Sequence, residues 1–256
     1  MHNFLNKVAL ITGGTEGIGL ATAIRFAHAN AKVFMVGRSA DKGAAALASL
    51  KAITAHAYFH SADMSKPDEV AAMVATCIAV FGQLDFAVNN AAASFPLVPT
   101  ADIPIDAVDH SINTDLRGVW CCMKHEIEAM LKTGGGSIVN VSSVNGFLAS
   151  PNAAMYSATK HGVNGLTAAA AKEYAALGIR INSVCPGAIE TPRRQRRLEG
   201  KTKAEIAEHN AAIVAQIPLH RVGRADEVAA PILWLCSDDA SYLVGHHLVV
   251  DGGLSA

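Results

Sequence analysis

The feature that most constrains the fold is a glycine-rich turn near the amino terminus. An apolar, strand-like run, Val8–Thr12, leads into glycines spaced G-x-x-x-G-x-G from Gly13, and a helical pattern follows over Leu20–Ala29. Glycines allow a tight turn and let backbone N–H groups approach a phosphate at a helix amino terminus. The spacing differs from the general G-x-G-x-x-G fingerprint, and a turn without a ligand is the alternative. A second strand-like run, Lys32–Val36, arrives where a βαβ unit requires it and favours nucleotide binding.

Strand-like and helical patterns alternate along the whole chain. The predicted strands are Val8–Thr12, Lys32–Val36, Ala55–His60, Asp85–Val88, Ser137–Val141, Arg180–Val184 and His247–Val250. The predicted helices between them include Asp68–Phe81, Ile105–Leu131 and Tyr156–Leu177. This alternation predicts right-handed crossovers and a seven-stranded parallel sheet with helices on both faces, an α/β fold. Residues 1–256 contain no repeat or linker, so we expect one doubly wound, Rossmann-type domain.

One segment departs from the alternation. Residues 192–218, here called the arginine-rich segment, contain four arginines between positions 193 and 197, followed by Lys201 and Lys203. The segment follows the carboxyl end of the sixth predicted strand, where ligands bind in doubly wound sheets. We therefore expect a substrate lid that recognises an anionic or strongly polar group. An exposed helix pair that never contacts the ligand is the alternative.

Composition narrows the class of protein. The 256 residues have a net charge of −1, so no global charge favours nucleic acid or a membrane as a partner. The five cysteines form no C-x-x-C pattern, which predicts buried thiols in a reducing compartment. The amino-terminal residues lack a signal-peptide pattern, and we expect a cytoplasmic protein. The histidines show no H-E-x-x-H and no ligand spacing, so no metal is expected.

The clearest chemical signal is Tyr156 with Lys160, four residues later, and Ser143, thirteen residues before the tyrosine. Residues i and i+4 share one helix face, so the ammonium group lies close to the phenol. A nearby positive charge favours phenolate, and the pair can then exchange a proton with an alcohol near neutral pH. Alone, the Y-x-x-x-K pattern is weak, because most such pairs are solvated residues on a helix surface.

Together these motifs resemble the short-chain dehydrogenase/reductase family, including its 3-oxoacyl-[acyl-carrier-protein] reductases. The glycine turn, Asn89-Asn90-Ala91, Ser143, Tyr156-x-x-x-Lys160 and Pro186-Gly187 occur in the family's order, between Lys7 and Gly253. Two positions depart from the family pattern. Ala92 replaces a usual glycine, which suggests an altered loop beside the cofactor, and Glu16 stands where small or basic residues are common.

The resemblance implies hydride transfer between a nicotinamide cofactor and a substrate carbon, without a metal. By this resemblance Ser143 polarises the carbonyl, Tyr156 is the acid/base, Lys160 supports the tyrosine and anchors the nicotinamide ribose, and Asn113 binds a water in the proton relay. Ser142 competes with Ser143 for the first role, but the spacing to Tyr156 favours Ser143.

The resemblance also assigns the cofactor contacts. The implied cofactor-binding residues are Gly13, Thr15, Gly17, Ile18, Gly19, Arg38, Ser39, Asp63, Met64, Asn90, Ala91, Tyr156, Lys160, Pro186, Gly187, Ile189 and Thr191. Gly37 occupies the position of an acidic residue that would bind a ribose 2′-OH, and Arg38 follows it, which indicates NADP(H). Glu16 points the other way, and NAD(H) stays possible. Asn89 either packs against the adenosine half or only satisfies backbone groups in the turn.

The substrate and the assembly stay open at this level. A ketone reductase or alcohol dehydrogenase is expected, with a 3-oxoacyl-[acyl-carrier-protein] reductase and a sugar, sterol or diol dehydrogenase as alternatives. A cofactor-sensing regulator without catalysis is the alternative from another class. The residues expected to line the substrate pocket are Ala93, Phe95, Phe147, Leu148 and Met155. The family pairs the two long helices across a twofold axis, so we expect a homodimer or homotetramer, with Leu248–Val250 as a second contact.

Overall fold

The computed structural model describes residues 2–256, and its main sheet is built as the alternation predicts. The strands of that sheet are β1 Val8–Thr12, β2 Lys32–Gly37, β3 Ala57–Ser61, β4 Phe86–Asn89, β5 Gly136–Val141, β6 Ile179–Pro186 and β9 His247–Val250. Two short strands, β7 Ile189–Glu190 and β8 Gly223–Arg224, form a separate ladder. The helices are α1 Gly17–His28, α2 Ala40–Lys51, α3 Pro67–Phe81, α4 Ile105–Ser111, α5 Gly118–Thr133, α6 Ala154–Tyr174, α7 Pro192–Arg196, α8 Lys203–Ala215 and α9 Ala225–Cys236.

The seven-stranded sheet is entirely parallel and has the order β3-β2-β1-β4-β5-β6-β9. The predicted Rossmann-type architecture is confirmed, with strand ends shifted by one or two residues. Asp85, for example, lies before β4, where its carboxylate accepts a hydrogen bond from the backbone N–H of Val8 at 2.8 Å. Because β1 pairs with both β2 and β4, the strand order reverses there and opens a crevice at their carboxyl ends.

Alternate residues of each strand enter two different cores. Leu10 packs in a core with α3, α5 and α6, whereas its neighbour Ile11 packs on the opposite face with α1, α2 and α9. Successive strand side chains point to opposite faces, so the continuous apolar run Val8–Thr12 is buried on both sides. All five cysteines are buried and unpaired, as the sequence predicts.

The single helix expected over Ile105–Leu131 is in fact interrupted. A π-helical turn, Ile112–Arg117, separates α4 from α5, and the backbone N–H of Gly118 donates to the carbonyl oxygen of Asn113. The prediction of one continuous helix is therefore wrong. A π turn inserts one extra residue and is common at functional sites. Asn113, a poor helix former, lies inside this turn.

The arginine-rich segment folds as α7 and α8, which contain no buried residue. Leu198 and Ile217 are its buried contacts with the rest of the fold. The β7–β8 ladder, which the sequence analysis did not predict, pairs Ile189 with Gly223 and joins the two ends of the segment. No helix within residues 2–256 is both long enough and apolar enough to cross a bilayer.

Candidate active site

A cleft of about 1170 Å³ lies at the carboxyl ends of the central strands. Its walls include Ser143, Tyr156 and Lys160. It is also lined by most of the residues predicted to bind the cofactor: Gly13, Thr15, Gly17, Ile18, Arg38, Ser39, Asp63, Met64, Asn90, Ala91, Pro186, Gly187, Ile189 and Thr191. The fold thus brings both predicted sets into one cavity, although their roles in binding and catalysis stay predictions. Two predicted residues, Gly19 and Asn113, do not line it.

The glycine turn is shaped to receive a ligand backbone closely. Gly13 and Gly17 have φ angles of +63° and +56°, in the left-handed region that favours glycine. A Cβ atom on Gly19 would lie 2.1 Å from the carbonyl oxygen of Gly13, so this position contributes close packing rather than a ligand contact. α1 begins at Gly17, and its first N–H groups lack intrahelical partners. Together these features fit a pyrophosphate at the helix amino terminus.

The loop after β4 is fastened to this turn by side chains of both segments. The Nδ2 of Asn90 donates to the carbonyl oxygens of Thr12 and Gly13 at 3.0 and 3.1 Å. The hydroxyl of Thr12 accepts bonds from the backbone N–H groups of Asn90 and Ala91. These bonds hold the floor of the cleft in one arrangement.

Asn89 turns away from the cleft into the core, where it bonds to other side chains rather than to backbone groups of the turn. Its Nδ2 donates to Glu126 Oε2 at 2.9 Å and to Asn140 Oδ1 at 3.0 Å, and Asn140 donates in turn to the Thr167 hydroxyl. Burial raises the pKa of Glu126 to about 8, against the lowering effect of the Asn89 bond. Among residues 2–256, Glu126 Oε1 and Asn89 Oδ1 have no hydrogen-bond partner. Both of these unpartnered atoms are oxygens. A protonated Glu126 adds an O–H group that can donate a hydrogen bond within this network.

Sequence reasoning missed two buried acids that position the cleft walls. Glu126 lies on the buried face of α5 with Cys122 and Met130. Its spacing of four residues from each of them, on one helix face, was the sequence signal that could have indicated burial. Asp115, in the π turn, accepts a bond from the backbone N–H of Ala93 at 2.6 Å. It thereby ties the π turn to the loop that precedes Phe95.

The predicted acid/base pair is held by buried contacts. Lys160, only 2% exposed, donates from Nζ to the carbonyl oxygen of Val141 at 2.8 Å, and its Nζ lies 5.7 Å from the centre of the Tyr156 ring. The hydroxyl of Ser142 donates to the carbonyl oxygen of Lys160. The hydroxyl oxygen of Ser143 instead accepts a bond from the backbone N–H of Asn145. The proton of Ser143 is therefore the one left to donate to a substrate oxygen, which favours Ser143 over Ser142.

The end of the cleft beside β2 and α2, where the sequence analysis expects the adenosine half of the cofactor, contains exposed positive charge. Arg38 is exposed, and no carboxylate of residues 2–256 forms an ion pair with it. Burial raises the pKa of nearby Asp63, but hydrogen bonds from Ser65 and the charges of Arg38 and Lys66 outweigh it and lower the pKa overall. The Ser39 hydroxyl caps α2.

Lys42, in the first turn of α2, also lines the cleft and was missed by sequence reasoning. Its closeness in the sequence to Arg38 and Ser39, both predicted cofactor contacts, was the available signal. Its Nζ contacts Glu16 Oε2 at 2.7 Å, and Arg196 of α7 forms a two-pronged ion pair with the same carboxylate. The hydrogen bonds from Arg196 and Lys42 hold the pKa of Glu16 below its ordinary value, against the raising effect of burial. In this structure Glu16 bridges the glycine turn, α2 and the arginine-rich segment.

The residues expected to line the substrate pocket lie outside the main cleft. None of Ala93, Phe95, Phe147, Leu148 and Met155 lines the main cleft. Phe95 stacks on Tyr156 with ring centres 4.4 Å apart, and Phe147 and Leu148 are exposed. Phe95 and Met155 line a small separate pocket that Tyr156 also borders, and the arginine-rich segment brings Leu198, His209 and Ile213 to the main cleft. Which of these residues contact a substrate stays a prediction.

Two adjacent histidines, His246 and His247, lie at the start of β9, and one of them contacts the neighbouring strand β6. His247 Nδ1 lies 2.7 Å from the hydroxyl of Ser183. Within residues 2–256, no group of three or more His, Cys, Asp or Glu side chains has an arrangement suited to a metal ion.

Comparison with known proteins identifies the family. The profile described as enoyl-(acyl carrier protein) reductase matches residues 13–255. Cyclohexanol dehydrogenase of Acinetobacter sp. (strain SE19) is 37% identical over 100% of this chain and 97% of its own. Cis-4-hydroxycyclohexanecarboxylate dehydrogenase of Sinomonas cyclohexanicum is 39% identical over 99% of this chain and 98% of its own. The chain belongs to the short-chain dehydrogenase/reductase family.

Solved structures agree with this membership. Levodione reductase has a TM-score of 0.92 at 36% identity, covering 98% of both chains. A variant of actinorhodin polyketide ketoreductase, solved with NADPH, has a TM-score of 0.91 at 34% identity, covering 99% of both. As a family member, the protein is an NAD(P)-dependent oxidoreductase that acts on CH–OH groups and the corresponding ketones.

Proposed function

We propose that this short-chain dehydrogenase/reductase interconverts a ketone and a secondary alcohol with NADP(H), using Ser143, Tyr156, Lys160 and Asn113. The observation that most supports the proposal is the placement of Lys160, a buried cation that lies beside Tyr156 and is held by the Val141 carbonyl oxygen. Burying an ammonium group costs free energy that hydrogen bonds only partly offset, so such a group is a candidate for a functional role. Here the ammonium group lies 5.7 Å from the ring centre of Tyr156, the proposed acid/base.

Each residue of the chain has a separate part in the proposed reaction. The Ser143 hydroxyl donates a hydrogen bond to the substrate oxygen, and Tyr156 gives that oxygen a proton during reduction or removes it during oxidation. Lys160 stabilises the tyrosine and contacts the ribose, and Asn113 in the π turn holds a water that returns protons to Lys160. The bound cofactor supplies or accepts the hydride.

Preference for NADP(H) is proposed from the positive charge at the adenosine end. Arg38 is exposed and lacks a carboxylate partner within residues 2–256. Guanidinium groups bind phosphate through paired hydrogen bonds. Glu16, the residue that opposed this interpretation, is paired with Lys42 and Arg196, so its charge is largely compensated. NAD(H) remains the alternative cofactor.

An alicyclic secondary alcohol or its ketone is the proposed substrate class. The relatives named for cyclohexanol and for cis-4-hydroxycyclohexanecarboxylate support it, because both names describe a hydroxyl on a six-membered ring. The side chains of Leu97, Leu198 and Ile213 give the cleft the apolar surface that such a ring needs. We propose that the arginine-rich segment closes over this ring as a lid.

The test is a spectrophotometric assay of the purified protein with cyclohexanol, ring-substituted cyclohexanols and their ketones, each with NADP(H) and NAD(H). We expect turnover of at least one ring alcohol and a higher kcat/KM with NADP⁺ than with NAD⁺. Turnover of linear 3-oxoacyl thioesters alone would instead support the carrier-protein reductase alternative. Cofactor binding without turnover of any alcohol or ketone would contradict the proposal.

A homodimer or homotetramer is proposed from exposed apolar residues on α5. Trp120 and Leu131 are 48% and 42% exposed, and eleven residues, three helical turns, place them on one face. The outer face of α6 contains small residues, including Gly165 and Ala169, which permit close helix approach. Light scattering should give two or four times the monomer mass at micromolar concentration. A monomer at that concentration would refute the assembly.

A further inference from the structure

The four clustered arginines of α7 and its end fall into two pairs with different surroundings. Arg194 donates to Glu190 Oε2 at 2.8 Å and to Asn210 Oδ1 at 2.6 Å, and Arg196 pairs with Glu16. Arg193 donates only to the backbone carbonyl oxygen of Ala93, and no carboxylate of residues 2–256 pairs with Arg193 or Arg197. Two of the four charges are therefore compensated by the protein, and two are not.

The two uncompensated guanidinium groups lie beside the proposed acid/base. The Cζ atom of Arg197 is 4.3 Å from the centre of the Phe95 ring, and that of Arg193 is 5.7 Å from the centre of the Tyr156 ring. Phe95 stacks on Tyr156 with an angle of 16° between the rings. Both arginines line the main cleft. The free charge of the arginine-rich segment is thus placed where a substrate must bind.

Stacking on an aromatic ring satisfies the face of a guanidinium group but leaves the N–H donors at its edge free. Partial burial lowers the pKa of Arg197, and the neighbouring Arg193 lowers it further, against a smaller opposite effect of Tyr156. Two like charges close together without a counterion are unfavourable, and an anion between them removes that cost. The planar fork of arginine suits a carboxylate in particular.

We propose that Arg193 and Arg197 bind a carboxylate on the substrate, so that the enzyme acts on a ring alcohol or ketone that also bears a carboxylate. This inference rests on the proposed function and narrows its substrate class. The paired arginines, Arg194 and Arg196, are then structural and do not contact the substrate. The sequence analysis expected the arginine-rich segment to recognise an anionic or strongly polar group. The structure narrows this expectation, because only Arg193 and Arg197 lack a carboxylate partner within residues 2–256.

The first experiment needs no variant. The unmodified enzyme is assayed with cis-4-hydroxycyclohexanecarboxylate and with its methyl ester, which keeps the ring and hydroxyl but removes the charge. We expect kcat/KM to be about 10-fold to 100-fold higher for the acid, the range for a hydrogen bond to a charged group. Added salt should raise KM for the acid more than for the ester, because it screens the charge. Equal kcat/KM for acid and ester would overturn the carboxylate site while leaving the proposed function intact.

The second experiment assigns the effect to residues. Arg193→Gln and Arg197→Gln should each raise KM for the acid about tenfold or more and change KM for the ester less than about threefold. Arg197→Lys should recover part of the loss, because it restores charge without the planar fork. Arg194→Gln and Arg196→Gln are the matched controls and should leave the acid/ester ratio unchanged. Equal losses for acid and ester in the first two variants would overturn the assignment.

The third experiment does not depend on turnover, so it separates this inference from the proposed function. Cyclohexanecarboxylate and the neutral cyclohexanecarboxamide, neither of which has a hydroxyl, are titrated by calorimetry into protein saturated with NADP⁺. The carboxylate should bind at least about tenfold more tightly, and Arg197→Gln should remove that difference. Equal binding of the two compounds to the unmodified protein would overturn the carboxylate site even if no alcohol were turned over.

Discussion

The two walls of the cleft are held in place by opposite means. One wall, formed by the glycine turn, the loop after β4 and α6, is fixed by hydrogen bonds between buried or partly buried groups, such as Lys160 to the Val141 carbonyl oxygen at 2.8 Å. The other wall, the arginine-rich segment, has few buried contacts, Leu198 and Ile217, and is also held by partly exposed ion pairs such as Arg196 to Glu16. We call them the sheet-anchored wall and the arginine-rich segment.

Because its two walls are held differently, the cleft can combine a rigid site for the reaction with a more adaptable site for substrate binding. Buried hydrogen bonds are not exchanged with water and keep their geometry, since an unmet buried group costs about 1–3 kcal/mol. Exposed ion pairs contribute about 0–1 kcal/mol each and weaken with salt. We therefore expect changes in the sheet-anchored wall to affect kcat or stability, and changes in the arginine-rich segment to affect KM.

The largest expected effect comes from Tyr156→Phe in the sheet-anchored wall. The change removes the phenolic oxygen that moves the proton in the proposed reaction but keeps the ring that stacks on Phe95. We predict a loss of at least about 100-fold in kcat, the usual scale of general acid–base catalysis. Fluorescence titration should show that cofactor binding is retained. Near-normal turnover by a folded Tyr156→Phe protein would remove the basis for placing the chemistry on this wall.

The buried network beneath the sheet-anchored wall predicts an unusual dependence of stability on pH. With a pKa of about 8 when folded and 4.5 ordinarily, Glu126 keeps its proton in the folded protein while the unfolded chain has lost it. Between these values the folded state binds more protons, so the free energy of unfolding falls as pH rises, by up to about 1.4 kcal/mol per pH unit. Above pH 8 both states are ionised and the decline ends.

Glu126→Gln tests this directly, because glutamine resembles the protonated acid in shape. Urea unfolding between pH 5 and pH 8, interpreted with the slope expected for one proton, should show a flatter dependence in Glu126→Gln than in the unmodified protein. The exposed Glu173→Gln serves as the control and should keep the original slope. An unchanged slope in Glu126→Gln would mean that Glu126 is ionised in the folded state.

A smaller effect is predicted for Arg38→Ala at the adenosine end. Loss of a charged hydrogen-bond donor to the 2′-phosphate should raise KM for NADPH about tenfold and leave KM for NADH nearly unchanged. Steady-state kinetics with both cofactors measures this. If the unmodified enzyme has the lower KM for NADH, the interpretation of Arg38 is wrong and Glu16 was the better indicator.

The smallest effect is predicted for Glu16→Gln, which breaks the contact between the two walls. The ion pairs are partly exposed, so we expect a loss of stability of at most about 1 kcal/mol. Because Arg196 and Lys42 hold the pKa of Glu16 below its ordinary 4.5, their stabilisation is present at neutral pH and is lost as pH falls through that lowered value. The KM for NADPH should fall about twofold, since a carboxylate is removed near the proposed phosphate site.

Thermal unfolding and NADPH kinetics at low and high salt measure the Glu16→Gln effect, with Glu173→Gln again as the control. The difference from the unmodified protein should shrink at high salt, as expected for an exposed pair. A large loss of stability that is independent of salt would show that the contact between the walls is as firm as the buried bonds, and the comparison would fail.

The sheet-anchored wall was largely predictable because its signals are local. The glycine spacing, the alternation of strands with helices and the i, i+4 placement of Tyr156 and Lys160 each depend on a few neighbouring residues. The interrupted helix was not predicted, because the π turn Ile112–Arg117 contains no proline or glycine that would indicate a break. Residues acting from within the core, such as Glu126, were missed because a single acid in a helical pattern looks like a surface residue.

By itself, the sequence determined the parallel α/β sheet and the set of polar residues at the carboxyl ends of its strands, because strand and helix periods follow from backbone geometry. The tertiary structure was needed to show which arginines of the arginine-rich segment have a carboxylate partner and which do not. Arg196 finds its partner Glu16 at a separation of 180 residues, whereas Arg193 and Arg197 meet aromatic rings and no carboxylate of residues 2–256. Four neighbouring arginines look equivalent along the chain, and they differ only because the fold supplies counterions to two of them.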